Sequence, residues 1–95
     1  MMPEYIVVAR MILRTTHMVG WSRPPREVRV PGTWHLARID SGVPSPVRVC
    51  GELTLGPQAT RPVRDWQVLR PRCAQCEATA GAEARAQVAH EATRA

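Results

Sequence analysis

The feature that most constrains this fold is the pair Cys73 and Cys76, two residues apart at the start of an alanine-rich segment. A C-x-x-C spacing lets two sulfur atoms converge on one ion, and a helix N-terminus favours the thiolate form. A third cysteine, Cys50, precedes Gly51, which can adopt the positive φ of a tight turn. An odd number of cysteines argues against a disulfide framework. The pattern therefore indicates a metal site, with a redox dithiol as the alternative.

A metal would supply stability that the apolar composition does not. The 95 residues allow one small domain, with no Phe, one Tyr and three Trp. Much of the apolar fraction is alanine, which buries little area per residue. Small domains with thin cores commonly recruit metals.

The fourth ligand is predicted to be His35. Residues 33–39 alternate as a β-strand does, 40–46 have loop composition, and 47–50 form a second strand. Pairing these strands as an antiparallel hairpin places His35 opposite or diagonal to Cys50. His90 is excluded because it would lie about 21 Å from Cys76 along a helix. Other donors remain as alternatives: His17, Asp40 and Glu52.

Four ligands of this kind predict one structural Zn²⁺, bound by His35, Cys50, Cys73 and Cys76. An iron–sulfur cluster usually needs four cysteines, and only three are present. The chain shows no Ser–His–Asp pattern, paired-carboxylate motif or Gly-rich phosphate loop. We therefore expect no enzyme activity and no small-molecule substrate.

Three motifs carry a resemblance to a known group of proteins. They are Trp34-His35-Leu36-Ala37, Val49-Cys50-Gly51, and Cys73-x2-Cys76 opening an Ala-rich helix. Over residues 33–92 the chain resembles short, largely uncharacterised Cys3His zinc-binding proteins of high-GC bacteria and their phages. The resemblance implies a Cys3His zinc site and no established activity. The arrangement is also similar to treble-clef and zinc-ribbon-like fingers, although the first ligand pair is here split between His35 and Cys50.

The predicted fold class is α+β: an antiparallel hairpin or short sheet with one C-terminal helix. The sequence divides into an N-terminal strand or arm with a Pro/Arg-rich segment, 1–32, and a zinc-binding module, 33–95. Within 1–32 we expect a strand or loose arm over 3–13 and a short strand over 27–30. Residues 51–62 have loop composition.

Two further elements are predicted after that loop. Residues 63–70 suggest a third strand with Trp66 and Val68 facing inward, and a helix is expected over about 74–92. One helix face would carry Cys73, Cys76, Ala80, Ala84 and Val88. The other would carry Glu83, Gln87, Glu91 and Arg94.

The net charge is +5, and every one of the 13 basic residues is arginine. That bias is typical of GC-rich codon usage, yet residues 1–72 hold 11 arginines against 5 acids. We expect nucleic acid as the partner, in a regulatory or phage-encoded role. The alternative is a protein-interaction adaptor.

No signal peptide or membrane span is evident, so the expected compartment is the cytoplasm. The candidate nucleic-acid-binding residues are Arg23, Arg26, Arg29, Arg61, Arg64, Arg70 and Arg72, of which the last four could instead balance the charge of the metal site.

Overall fold

The computed structural model describes residues 3–16, 26–53 and 56–94. It contains a four-stranded antiparallel sheet and a C-terminal helix, which confirms the predicted fold class. The strand order is β3-β2-β1-β4, so β1 lies inside the sheet. The elements are β1 (Tyr5–Thr16), β2 (Arg26–Asp40), β3 (Val43–Arg48), β4 (Gln58–Pro62), a short 3-10 helix (Val63–Asp65) and α1 (Ala74–Arg94).

The N-terminal segment is a strand rather than a loose arm. β1 pairs with β2 on one edge and with β4 on the other. Its apolar residues Val7, Val8 and Ala9 are buried. β2 continues through residues 32 and 33, where its register with β1 shifts between Ala9 and Met11.

The hairpin between β2 and β3 is tighter than composition suggests. Ser41 and Gly42 both have positive φ, 54° and 79°, as a two-residue type I′ turn requires. Residues 43–46, expected in a loop, belong to β3 instead. Because β3 is an edge strand, the missing N–H groups of Pro44 and Pro46 do not interrupt the sheet. A register shift follows, after which Ala37 pairs with Arg48 as the predicted hairpin requires.

The chain between the hairpin and the helix departs from prediction. Residues 58–62, expected in a loop, form β4 because the apolar part of β1 offers them a free edge. The strand predicted over 63–70 is wrong: Val63–Asp65 is a 3-10 helix and turns follow it. Trp66 is buried as expected, but Val68 is 76% exposed. A single inward tryptophan thus does not require a strand.

Helix α1 covers one face of the sheet. The predicted stripe is confirmed, since Cys76, Ala80 and Ala84 are buried and Val88 is partly buried against the core. Gln87 was expected on the outer face, but it is only 9% exposed. Its Oε1 accepts a hydrogen bond of 2.8 Å from the backbone N–H of Tyr5. The start of β1 lies under the helix, and the backbone N–H of Tyr5 needs an acceptor there. The periodicity of the helix does not reveal that Gln87 turns inward to provide it.

A polar group joins α1 to the segment before it. Trp66 Nε1 donates to Glu77 Oε2 at 2.6 Å, and Arg85 forms an ion pair with the same carboxylate. Arg85 and then Trp66 hold the pKa of Glu77 below its ordinary value. A β-carbon at Gly81 would collide with this carboxylate. Gly81 therefore leaves room for Glu77 to reach Trp66.

We predict that Gly81→Ala does not stabilise the protein, although alanine is normally favoured over glycine in a helix by about 1 kcal/mol. The added methyl group displaces Glu77 and leaves the buried N–H of Trp66 without an acceptor, a loss of about 1–3 kcal/mol. In a Glu77→Ala background, Gly81→Ala should stabilise by about 1 kcal/mol. Urea unfolding at saturating metal measures both changes. Equal stabilisation in the two backgrounds would contradict the predicted coupling.

Candidate metal centre

Three separate parts of the fold bring four ligand atoms together. His35 comes from β2, Cys50 from the turn after β3, and Cys73 and Cys76 from the start of α1. The four ligand atoms all lie within 4.8 Å of one another. The cluster, as a group of nitrogen and sulfur donors, can hold a metal ion.

Backbone pairing places Cys73 beside the strand that carries His35. The N–H of Trp34 donates to the carbonyl of Pro71 at 2.9 Å, and the N–H of Cys73 donates to the carbonyl of Trp34 at 2.8 Å. These two bonds form a short parallel bridge on the edge of β2 that β3 leaves open. The helix then begins at Ala74 and brings Cys76 inward one turn later.

A tight turn places Cys50. The N–H of Val49 donates to the carbonyl of Leu36 at 2.9 Å, which keeps the end of the hairpin on β2. Gly51 has a φ of 90°, as the Cys-Gly pair predicted. Its N–H donates to the carbonyl of Arg48 at 2.8 Å rather than to a cysteine sulfur atom. The amide that approaches a sulfur is that of Cys76, 3.4 Å from Cys73 Sγ.

The interatomic distances fit a tetrahedral ion. His35 Nδ1 lies 3.6 Å from Cys50 Sγ and 3.6 Å from Cys76 Sγ. With metal–sulfur and metal–nitrogen bonds near 2.3 and 2.0–2.1 Å, tetrahedral geometry separates sulfur from nitrogen by about 3.6 Å. All three cysteines are free thiols. These two nitrogen–sulfur distances therefore match two edges of a coordination tetrahedron.

The electrostatics of the site suit a bound cation. Burial, followed by the neighbouring cysteines, raises the pKa of Cys76 to about 12, so without a cation this thiol stays protonated. A divalent ion reverses the preference because it binds the thiolate. Burial, and then the charge of Arg48, lowers the pKa of His35. The imidazole is therefore held neutral, which is the form that binds a metal.

On the side of the imidazole away from sulfur lies the carboxylate of Glu52, which the sequence suggested only as a possible ligand. Glu52 Oε2 is 3.5 Å from His35 Nε2 and 3.2 Å from Arg48 Nη1. Nδ1 faces the sulfur atoms while Nε2 faces Glu52, an arrangement in which a carboxylate orients a metal-binding histidine. Asp40, also considered as a ligand, lies at the far end of β2 beside the hairpin turn. His90 is exposed on α1, and His17 lies outside the described residues.

The arginine nearest the imidazole is one that the sequence analysis did not select. Arg48 is only 4% exposed. Its Nε and Nη2 atoms have no hydrogen-bond partner within the described ranges. The sequence did contain a signal for Arg48. In the strand predicted over 47–50, alternation puts Arg48 on the same face as the ligand Cys50.

Of the four arginines proposed to balance the site, two have other contacts and two are exposed. Arg72 lies over the ring of Trp66 at 5.4 Å and donates to that residue's carbonyl. Arg70 donates to the carbonyls of Gln67 and Leu69. Arg61 and Arg64 are exposed on β4 and the 3-10 helix. Of the remaining candidates, Arg26 and Arg29 lie on β2, and Arg23 is outside the described residues.

No protein-family model, curated protein or solved structure matches this chain. The resemblance to Cys3His zinc-binding proteins therefore stays a prediction. In the part of the chain that the structure describes, no helix has the length and apolar character needed to cross a bilayer.

We predict that Glu52→Gln lowers the affinity for a divalent metal by about 10- to 100-fold, because the imidazole loses the carboxylate that orients it. Chelator competition with Co²⁺, followed by visible absorption, measures the change. Glu27→Gln on the exposed part of β2 is the matched control and should bind as the parent does. Equal affinities for the two variants would show that Glu52 does not orient His35.

Proposed function

We propose that this chain is a small structural zinc module that acts by binding and not by catalysis. The observation that carries the proposal is the convergence of four nitrogen and sulfur donors, His35, Cys50, Cys73 and Cys76, within 4.8 Å. Three thiolates and one imidazole form a donor set that zinc prefers, and carboxylate-binding ions such as Mg²⁺ do not.

A structural role is supported by how the ligands are distributed. Four protein ligands complete a tetrahedral shell, whereas catalytic zinc keeps one position for water or substrate. The ligands also connect β2, the turn after β3 and α1, which share a core of few large side chains. Structural zinc contributes about 10–16 kcal/mol to folding in small fingers, comparable with the whole stability of a domain.

We predict about one zinc ion per chain in purified protein, and unfolding when a chelator removes it. Cys76→Ser and His35→Ala should lose the zinc, while His90→Ala, at an exposed histidine of the same chain, should keep it. Elemental analysis and circular dichroism measure these outcomes. Zinc retained in His35→Ala and lost in His17→Ala would overturn the ligand assignment. Negligible zinc with a reversible Cys73–Cys76 disulfide would favour the redox alternative.

We further propose that the module binds nucleic acid, in a regulatory or phage-encoded role. The support is electrostatic: arginines outnumber acids by 11 to 5 in residues 1–72. Arg26, Arg29, Arg61 and Arg64 are exposed there. The protein-adaptor alternative is favoured by a different observation. Val47 and Leu53 oppose each other across an isolated bridge and are both exposed, at 43% and 61%.

We predict that affinity for nucleic acid falls steeply with salt, because phosphate contacts release counterions. In a plot of the logarithm of the association constant against the logarithm of the salt concentration, contacts to about four phosphates would give a slope of about −4. Fluorescence anisotropy with duplex DNA, single-stranded DNA and duplex RNA measures it. Val47→Ser/Leu53→Ser should leave this binding unchanged. No binding to any of the three probes would leave the adaptor as the better proposal.

A further inference from the structure

Two strands extend well beyond the body of the fold. β4 stops pairing with β1 at Arg10, whereas β1 and β2 remain paired to Thr16 and Arg26. Residues 11–16 and 26–31, here called the ribbon, are therefore two-stranded. Six residues of strand span about 20 Å. The molecule is accordingly 56 Å long against 27 and 24 Å, and its radius of gyration of 16.0 Å exceeds the ~12 Å of a compact domain this size.

The ribbon and its base are basic on one face. They carry four arginines and one acid. Alternation places Arg10, Ile12 and Arg14 on one face of β1, and the register puts Val28 and Arg26 beside them. The opposite face carries Leu13, Arg29 and Glu27. The sole acid thus lies on the face away from Arg10 and Arg14.

The arginine side chains of the ribbon have fewer partners than most of those on the rest of the molecule, here called the body. Among the described residues, Arg10, Arg14 and Arg29 have neither a hydrogen-bond acceptor nor an ion-pair partner. In the body, by contrast, Arg48 and Arg85 pair with acids and Arg72 lies on Trp66, while Arg61 and Arg64 are exposed. The Arg10–Arg14 face also leaves Ile12 36% exposed. A two-stranded ribbon is marginally stable by itself in water, so a surface of this kind is suited to a partner that covers it.

We propose that the ribbon is an arm that enters the major groove of duplex DNA, with its Arg10–Arg14 face toward the DNA. The inference rests on the proposed nucleic-acid binding and names the element responsible for it. The groove is about 12 Å wide and admits a two-stranded ribbon. Guanidinium groups reach phosphates and guanine edges, while Ile12 and Val28 can contact thymine methyl groups. Duplex RNA has a major groove too narrow for such an arm.

The test compares two double variants that remove equal charge. Arg10→Ala/Arg14→Ala acts on the ribbon, and Arg38→Ala/Arg94→Ala removes two arginines outside it, from the sheet part of β2 and from the end of α1. We expect the ribbon pair to lower the affinity for a 20-base-pair DNA duplex by about 10-fold or more and to reduce the salt slope by about 2. The control pair should change the affinity less than about 3-fold, as expected for charges that do not touch DNA. Zinc content and circular dichroism verify that both variants are folded.

The outcomes separate the arm from the wider proposal. If the parent binds no nucleic acid, both proposals fail. If the parent binds DNA and the two double variants are equally weakened, nucleic-acid binding stands and the arm is wrong. Equal parental affinity for duplex DNA and duplex RNA would also overturn groove insertion. If the ribbon variant aggregates but its soluble fraction binds DNA normally, these arginines protect an exposed strand edge, and the arm is again wrong.

Discussion

The approach of three sulfur atoms to the imidazole of His35 is the interaction on which the rest of this structure depends. It connects a strand, a turn and a helix start that share few large apolar side chains. The helix packs mainly through alanines, which bury little area but let its backbone come close to the sheet. Close approach is what allows Cys76 on the helix to reach the imidazole on β2. The small side chains that make the core thin are therefore also what lets the ligands converge.

Backbone contacts hold together the segments that carry the ligands of the site. Trp34 holds the chain at Pro71 and Cys73, and Leu36 holds the end of the hairpin at Val49. Both residues flank His35, so the two neighbours of the imidazole ligand position the other ligands. The side of the ring away from sulfur faces Glu52 and the buried Arg48. In this arrangement Glu52 orients the imidazole from the side away from the sulfur atoms.

The two ends of the molecule differ in kind. At the body, Arg48, Arg70, Arg72 and Arg85 have local acceptors. Gln87 joins the helix to the sheet, and Glu77 joins it to the segment that precedes it. At the ribbon, the strands have no helix over them in the described part of the chain, and the arginine face has no acid. Stability would come from the metal centre and binding from the ribbon. That separation would let the binding surface vary in sequence without affecting the ligands.

Sequence alone determined the ligand chemistry, the helix and its buried stripe, because these depend on neighbours one to four residues apart and on a single hairpin register. It could not determine β4, the interior position of β1 or the burial of Gln87. Each depends on which distant segment offers a free strand edge or an unpaired amide. Arg10 and Arg14 were overlooked for the same reason: only the register with β2 shows that they share a face. Tertiary structure decided these points because strand pairing joins residues far apart in sequence, which local periodicity does not encode.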